Sequence, residues 1–167
     1  MVELNGDRVV LRPLTVDDVP VVAAIQSQPS VSRWWDQPDE EELRRQAEGK
    51  TDAPAFAIEL DGRVVGLIQY YEENDPMYRH AAIDLFLSGE IQGRGLGPDA
   101  VRTLARYLTE QRGHHRLVID PAVENVAAIR AYEKVGFRPV GVMREYERAP
   151  DGHWRDGLLM DVLADEL

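Results

Sequence analysis

Two side chains on different predicted elements carry the strongest signs of chemistry, and the first is Asp84. It stands in the apolar segment 81–87, AAIDLFL, which predicts a β-strand with its even-numbered and odd-numbered side chains on opposite faces. Asp84 therefore shares a face with Ala82 and Phe86. Desolvation among such neighbours raises the pKa of a carboxyl group, as a general base requires. A buried aspartate whose oxygens accept backbone N–H groups would show the same pattern, so both interpretations stand.

The second side chain is Tyr132. Asn125, Ile129 and Tyr132 follow each other at i, i+4 and i+7 of a predicted helix that ends at Gly136, so they share one helical face. A tyrosine hydroxyl there could donate a proton to a leaving group. Alternatively, the ring belongs to the core and its hydroxyl meets a polar neighbour.

A glycine-rich segment, IQGRGLG at 91–97, follows the Asp84 strand and precedes Pro98, a residue that fits the first turn of a helix. Glycine lets the backbone approach a ligand closely, and a helix N-terminus offers free N–H groups to an anion, so a diphosphate is the natural guest. The segment lacks both the Gly-Lys-Ser/Thr ending of a nucleotide P-loop and the glycine spacing of dinucleotide folds. Taken alone, it is also compatible with a plain turn between strand and helix.

Other candidates stand outside these elements. Asp120 ends a short predicted strand, where the sites of α/β proteins gather, or it caps the turn that follows. Trp34 and Trp35 cannot both point into one core if their segment is extended. One of them is then expected to be exposed as a platform for a sugar ring or a cation, unless the pair anchors a loop. The acidic run 39–42 is either a solvated helix face or a means of steering polycations.

The net charge points to cationic partners. Asp and Glu together number 30 and Lys and Arg number 19, which gives a net charge of −11. Such a chain repels nucleic acid and anionic membranes and attracts cations, although an acidic surface also serves solubility alone. No apolar stretch is long enough for a membrane span and no signal-peptide core stands at the N-terminus, so a cytoplasmic protein is expected.

Residue types exclude several chemistries. The chain has no Cys, which rules out a disulfide scaffold, a Cys-based zinc site and a cysteine nucleophile. The histidines show no metal-ligand spacing, so no metal is expected, and the adjacent His114 and His115 are expected at the surface. No Ser stands in a nucleophile-elbow pattern.

The length and the apolar pattern predict one domain over residues 1–167. Its elements follow the order β-α-α-β-β-β-α-β-α-β-β, which indicates a mixed α+β sheet rather than a doubly wound one. Residues 29–38 are predicted to be a loop, and Asp61-Gly62 a hairpin turn. The predicted strands are 8–14, 56–60, 63–71, 81–87, 116–119, 137–146 and 157–163. The predicted helices begin at about residues 15, 39, 98 and 125.

Two motifs on these elements resemble those of the GCN5-related N-acetyltransferases (GNAT). Gln92-x-x-Gly95-x-Gly97 after a strand is similar to the acyl-CoA pyrophosphate loop of that superfamily, and segment 125–137 resembles its pattern N-x-x-A-x-x-x-Y-x-x-x-G-F. The element order matches as well, so the resemblance covers nearly the whole chain. It implies a GNAT fold, in which a central, mixed, splayed and mostly antiparallel sheet is flanked by about four helices.

The resemblance also implies acetyl-CoA as the cosubstrate, a pantetheine arm on the open strand edge, direct transfer without an acyl-enzyme, and no metal. Asp84 would take the proton of an ammonium, directly or through water, and Tyr132 would protonate the departing thiolate. A backbone N–H near Phe86 or Leu87 would bond the developing oxyanion. The residues implied to bind the cofactor are Leu85, Phe86, Leu87, Gln92, Gly93, Arg94, Gly95, Leu96, Gly97, Asn125 and Ala128.

Further motifs are Trp34-Trp35, Gly66-x-x-Gln69-x-Tyr71, Ile83-Asp84-x-x-Leu87, Asp120-Pro121 and Tyr132-Glu133-Lys134. Within the superfamily, they resemble those of the aminoglycoside 6'-N-acetyltransferases. Segment 72–78 differs, since it has tyrosine where members of that branch can carry a second tryptophan pair. The implied acceptor is the 6'-amine of an aminoglycoside antibiotic, with resistance as the role and a monomer or homodimer as the assembly. The acceptor residues implied are Trp34, Trp35, Gln69, Tyr71, Asp84 and Asp120. A protein N-terminus or another small amine is the alternative, because turn 151–154 also resembles relatives that modify ribosomal proteins. A non-catalytic CoA-binding or drug-sequestering module is a third possibility.

Overall fold

The computed structural model describes residues 2–167. An eight-stranded sheet runs through the molecule. Its spatial order is β1-β2-β3-β4-β5-β6-β8-β7, and all neighbours are antiparallel except β5 and β6. The strands are β1 (Leu4–Asn5), β2 (Val10–Pro13), β3 (Ala55–Leu60), β4 (Arg63–Glu73), β5 (His80–Leu87), β6 (Arg116–Ile119), β7 (Arg138–Arg148) and β8 (Trp154–Leu163). The predicted mixed, mostly antiparallel sheet is confirmed.

Helices cover both faces of this sheet. They are α1 (Val19–Gln26), α2 (Pro29–Ser32), α3 (Glu40–Ala47), α4 (Leu96–Arg106) and α5 (Val126–Val135). A π-helical turn, Tyr107–Gln111, extends α4, and short 3-10 turns lie at Val16–Asp18, Gly89–Ile91 and Ala164–Glu166. None of the helices in the described part of the chain is long and apolar enough to cross a membrane.

Two hydrophobic cores lie on opposite faces of the sheet. The larger core packs α4 and α5 against one face, and it includes the β5 residues Ile83 and Leu85. The smaller core packs α1, α2 and α3 against the other face and includes Phe86. The alternation predicted for residues 81–87 is therefore confirmed, and it places Asp84 on the face that α1, α2 and α3 partly cover.

The sheet opens between β5 and β6. The two strands pair only through Ala81 with Leu117 and Ala82 with Val118, whereas β5 pairs with β4 as far as Leu87. Beyond Ala82, one backbone edge of β5 is therefore left without a neighbouring strand. This gap is the splay that the family resemblance implied, and it divides the sheet into a β1–β5 half and a β6–β8 half.

Element boundaries differ from the prediction where local signals are weak. Strand β1 has two residues, too few to show alternation, and residues 29–38 contain the short helix α2 because Pro29 at its first position has a preset φ. The hairpin turn is confirmed: Asp61 and Gly62 both have positive φ, +50° and +77°, which a type I′ turn requires.

His114 is buried, which contradicts the predicted surface position. Its backbone N–H donates to the Leu108 carbonyl, so the chain folds back after α4 and turns the ring inward. His114 Nε2 lies 3.1 Å from Glu72 Oε2. The two adjacent rings were predicted to diverge, and they do, since His115 is exposed while His114 is buried. Their adjacency in the sequence could not show which of the two points inward.

Candidate active site

A cleft of about 420 Å³ lies where β5 and β6 separate. Four segments line it: the end of β5, the glycine-rich loop with the start of α4, one side of α5, and α2 with the turn after it that carries Trp34 and Trp35. All of the predicted cofactor residues except Arg94 line this cleft. Segments far apart in sequence thus meet at the open edge of β5.

The glycine-rich loop exposes its backbone to the cleft. Gly93 and Gly95 have φ values of +77° and +79°, which favour glycine, and a Cβ at either position would meet no atom within 4 Å. The loop is tied to β5, because Gln92 Nε2 donates to the Leu87 carbonyl at 2.9 Å. Since the first N–H groups of α4 have no carbonyl four residues earlier in the helix, this end of the cleft suits a diphosphate.

Asp99 secures the outer side of the loop, and sequence reasoning missed it. Its buried carboxylate accepts the backbone N–H groups of Asp7, Arg8 and Val9 at 2.8 to 3.0 Å. Burial opposes ionisation, but these backbone bonds lower the pKa of Asp99 below its usual value. The turn 7–9 is thereby fixed to α4, and the Arg8 guanidinium donates to the Arg94 carbonyl at 2.6 Å.

Helix α5 presents Asn125 and Tyr132 to the cleft. Asn125 caps the helix, since its Oδ1 accepts the Ala128 N–H at 3.2 Å. Tyr132 is half-buried, with its ring packed against the larger core, and it lines the cleft. Burial, then the charges of Asp84 and Asp120, raise its pKa well above the usual value. The phenol therefore stays protonated at neutral pH and can act as a proton donor.

Asp84 lies on the α1–α3 face of the sheet, directly opposite Gln69 on β4. The residue is exposed, yet the protein around its carboxylate removes part of its hydration. This limited hydration, together with the negative charges of Asp120 and Glu147, raises the pKa of Asp84 to about 8, while the Leu85 backbone N–H acts in the opposite direction. A carboxylate in this state accepts a proton readily near neutral pH.

Asp120 and Glu147 complete a cluster of carboxylates from β5, the end of β6 and β7. Burial and the charge of Glu147 raise the pKa of Asp120, although a hydrogen bond from the Tyr146 hydroxyl to Asp120 Oδ2, 2.7 Å long, opposes this. Several negative charges near one another attract a cation, so the cluster suits an ammonium group.

Sequence reasoning missed Tyr146 and Glu147 because a distortion of β7 positions them. The register of β7 against β8 shifts between Met143 and Glu147, and Glu145 adopts a positive φ of +47°. Bulges of this kind re-aim side chains next to active sites. A Cβ at Gly157 would lie 2.9 Å from the Tyr146 ring, so glycine there lets the ring lie against β8. No motif in the sequence marks this arrangement.

A second cavity of about 210 Å³ adjoins the cleft between α1, α3 and β4. Trp35 and Phe86 line both spaces, with their ring centroids 4.9 Å apart in an edge-to-face arrangement. Inside the cavity, Gln46 Nε2 donates to Gln69 Oε1 at 2.7 Å and Gln69 Nε2 donates to the Tyr71 hydroxyl at 3.1 Å. The lining also includes two carboxylate residues of the acidic run, Asp39 and Glu42. We call this cavity the side pocket.

Trp34 and Trp35 are both half-buried, which corrects the expectation that one of them is exposed. That expectation assumed an extended segment, whereas α2 and the turn after it direct the two rings to different neighbours. Trp35 packs against Phe86, and the guanidinium groups of Arg33 and Arg155 lie over the Trp34 ring, 4.8 and 5.3 Å from its centroid. Trp35 therefore separates the cleft from the side pocket together with Phe86, whereas Trp34 lines the cleft alone.

The family of the chain follows from a comparison with protein-family models. The acetyltransferase (GNAT) domain model matches residues 8–138, and the chain belongs to this family. Its splayed sheet and open β5 edge agree with that membership. Among residues 2–167, no group of three or more His, Asp or Glu side chains could hold a metal ion.

Named relatives act on different amines. Over 169 residues the chain is 29% identical to the spermidine N(1)-acetyltransferase of Escherichia coli K12, covering 95% of this chain and 87% of that protein. It is 27% identical to the aminoglycoside N(6')-acetyltransferase type 1 of Klebsiella pneumoniae, covering 89% and 81%. A solved structure of the aminoglycoside acetyltransferase AAC(6')-Ib with paromomycin and acetyl-CoA matches with a TM-score of 0.78 and 25% identity, over 96% of both chains.

Proposed function

We propose that this chain transfers the acetyl group of acetyl-CoA to a primary amine of a polycation, with the 6'-amine of an aminoglycoside as the acceptor. The observation that carries the proposal is the position of Asp84. It stands at the open edge of β5, directly before the cleft-lining residues Leu85 and Phe86, and it belongs to a cluster of carboxylates suited to an ammonium group.

The cleft fits the donor in three respects. The backbone at Gly93 and Gly95 is open where a diphosphate needs N–H groups. The unpaired edge of β5 offers backbone groups to the amides of a pantetheine arm, as an added strand would use them. Arg130 and Lys134 line the same cleft, and they place positive charge in a chain of net charge −11, where an anionic cofactor needs it.

The chemistry needs one base and one acid. The acceptor arrives as an ammonium, and Asp84 takes its proton directly or through water. The neutral amine then attacks the thioester carbon: an N–C bond forms, the C–S bond breaks, and the electron pair of that bond goes to sulfur. Tyr132 donates its proton to the departing thiolate, and the proton that the new amide nitrogen releases restores the phenol. A backbone N–H near Phe86 or Leu87 stabilises the negative oxygen of the tetrahedral intermediate.

A linear polyamine is the second candidate acceptor. The relative that acts on spermidine is about as similar as the one that acts on aminoglycosides. The side pocket supplies an observation of its own. It is lined by both Glu42 and Tyr71, and burial and then the charges of Asp84 and Glu42 raise the pKa of Tyr71, so both carboxylates act on this phenol. A second ammonium on a flexible arm can therefore bind at Glu42 while the reacting amine stands at Asp84.

A panel of acceptors tests the proposal. Acetyl-CoA is combined with kanamycin, spermidine or a peptide with an N-terminal alanine, the released thiol is measured, and product NMR locates the acetyl group. We expect kanamycin to be acetylated at its 6'-amine. A higher kcat/KM for spermidine assigns the chain to linear polyamines. Turnover of the peptide alone overturns the polycation proposal, and binding of acetyl-CoA without any turnover identifies a non-catalytic module.

A further inference from the structure

Arg155 on β8 has no role in the chemistry described above, yet it is one of the most completely bonded side chains of the molecule. It is 6% exposed. Its Nε donates to Glu147 Oε1 at 2.7 Å, and its two terminal nitrogens donate to the carbonyls of Arg33 and Trp34 at 2.9 and 3.0 Å. Burying a guanidinium is costly unless its donors are satisfied, and here all three nitrogens have acceptors.

These bonds connect the two halves of the sheet across the gap. Arg155 and Glu147 belong to the β6–β8 half, whereas Arg33 and Trp34 belong to the turn after α2, which packs on the β1–β5 half. Backbone pairing joins the two halves only at Ala81 and Ala82. Arg155 therefore bridges the mouth of the gap, some distance along β5 from the backbone pairing.

The bridged groups are those that shape the acceptor side of the site. One end is the backbone of the turn that carries Trp34, which lines the cleft, and Trp35, which lines both the cleft and the side pocket. The other end is Glu147, whose charge acts on both Asp84 and Asp120. A rigid planar fork suits this task, because one side chain can hold a carboxylate and two carbonyls in fixed directions.

We infer that Arg155 is a positioning residue for the acceptor: it holds the tryptophan turn against the β6–β8 half and fixes Glu147 beside Asp84 and Asp120. This inference rests on the proposed acetyl transfer to an amine at this site. Lysine cannot replace the fork, since a single ammonium cannot hold the carboxylate and both carbonyls in the same geometry.

Substitutions of Arg155 and of Glu147 should shift the acid limb of kcat/KM in opposite directions, but both should weaken acceptor binding. Arg155→Met leaves the Glu147 carboxylate uncompensated, which moves the acid limb of kcat/KM to higher pH. Glu147→Gln removes that charge and moves the limb to lower pH, in each case by roughly half a pH unit. The ionisable groups that face Asp84 come from β4, the end of β6, β7 and α5; they are Tyr71, Asp120, Tyr146, Glu147 and Tyr132.

The experiment compares Arg155→Lys, Arg155→Met and Glu147→Gln with a control, Arg116→Met. The control breaks another ion pair of the β6–β8 half, Arg116 with Asp161 at 3.1 Å, which does not reach the tryptophan turn. Each variant is assayed for the KM of kanamycin, the KM of acetyl-CoA, the pH profile and the melting midpoint. Acrylamide quenching of tryptophan fluorescence, measured in a Trp154→Phe background, reports on Trp34 and Trp35.

We expect the three site variants to raise the acceptor KM about tenfold and to change the acetyl-CoA KM less than about twofold. Arg155→Met and Glu147→Gln should also shift the acid limb of kcat/KM in the stated directions. We also expect stronger quenching in both Arg155 variants, with Arg116→Met affecting the melting midpoint alone. An Arg155→Lys variant that matches the wild type in acceptor KM and quenching overturns the inference. So do site variants that lose stability only, as the control does.

A variant that fails to fold, or a failure of the proposed function, can be distinguished from a failure of the Arg155 role. If Arg155→Met does not fold, Arg155→Lys and Glu147→Gln carry the test, since both keep a polar group at the site. If the wild-type protein turns over none of the amines, the proposed function fails. The quenching comparison then still decides whether Arg155 holds the tryptophan turn, and unchanged quenching overturns that role.

Discussion

Replacement of Asp84 by Asn tests the base through both rate and pH dependence. A carboxyl with a pKa of about 8 is deprotonated in roughly one molecule in a hundred at pH 6, one in eleven at pH 7 and one in two at pH 8. If only the deprotonated form accepts the ammonium proton, kcat/KM of the wild type should rise about ninefold between pH 6 and 7 and about fivefold between pH 7 and 8.

The acid limb of kcat should lie below that of kcat/KM. A bound ammonium favours the charged form of Asp84 and offsets the repulsion from Asp120 and Glu147, so the pKa of Asp84 falls in the complex. Asp84→Asn keeps the shape but cannot take the proton. We expect kcat to fall by roughly 10² to 10⁴ and acetyl-CoA affinity to be retained. The acid limb of kcat/KM near pH 8 should be lost.

The same substitution should stabilise the protein. The folded pKa of Asp84 is above its unfolded value of 3.8, so the folded state keeps a proton that the unfolded chain releases. Asp84 thus disfavours folding increasingly as the pH rises from about 4 to about 8. The melting midpoint of Asp84→Asn should exceed that of the wild type at pH 8, and the difference should vanish towards pH 4.

The assay is a pH series of initial rates from pH 5.5 to about 9.5 with kanamycin and spermidine, paired with thermal melts of the same proteins. Asp17→Asn is the matched control, since Asp17 is exposed on the 3-10 turn before α1. A wild-type acid limb near the usual carboxyl range, or near-normal kcat in Asp84→Asn, refutes the assignment of the base. The role then passes to Asp120 or to a chain of water molecules.

Three further predictions concern the cofactor loop, the acid and the charge of the site. Gly95→Asp places a side chain and a negative charge at a φ of +79°, so acetyl-CoA affinity by calorimetry should fall by about tenfold or more, a loss of about 1.4 kcal/mol; unchanged affinity in a folded variant contradicts the diphosphate site. Tyr132→Phe keeps the ring but removes the proton, so kcat should fall by about tenfold to a thousandfold with acetyl-CoA affinity retained; an unchanged kcat with a shifted melting midpoint makes Tyr132 a core residue only. The KM of kanamycin should rise with salt while that of acetyl-CoA does not rise in parallel, because the carboxylates attract a polycation; a salt-independent KM favours an acceptor of low charge.

Local pattern was sufficient for the elements that carry Asp84, Tyr132 and the glycine-rich loop. Alternation along residues 81–87 predicted the face of Asp84, and the spacing of Asn125 and Tyr132 predicted their shared helical face. The turn residues Asp61 and Gly62 predicted their hairpin, and the glycines of 91–97 predicted a backbone open to a ligand. In each case the signal lies within one element, where chain geometry alone relates side chains to faces.

Local pattern failed where a side chain is placed by another part of the chain. The expectation that one tryptophan is exposed was wrong because α2 replaced the extended segment on which the reasoning depended. His114 was misjudged because burial of one ring of an adjacent pair depends on how the chain folds back after α4. The sequence also has no signal for Glu147, which enters the site through a distortion of β7 that is defined only against β8.

The sequence by itself determined a mixed α+β sheet, the strand that presents Asp84, the helix that presents Tyr132 and the loop that suits a diphosphate, because periodicity and turn chemistry are local properties. Only the tertiary structure decided which carboxylates lie near Asp84 and what holds the turn that carries Trp34 and Trp35 in place. Arg155 bonds to carbonyls 122 and 121 positions earlier in the chain, and Tyr146 bonds to an aspartate 26 positions away. Desolvation and charge repulsion at Asp84 arise from these long-range approaches, and residue spacing along the chain does not encode them.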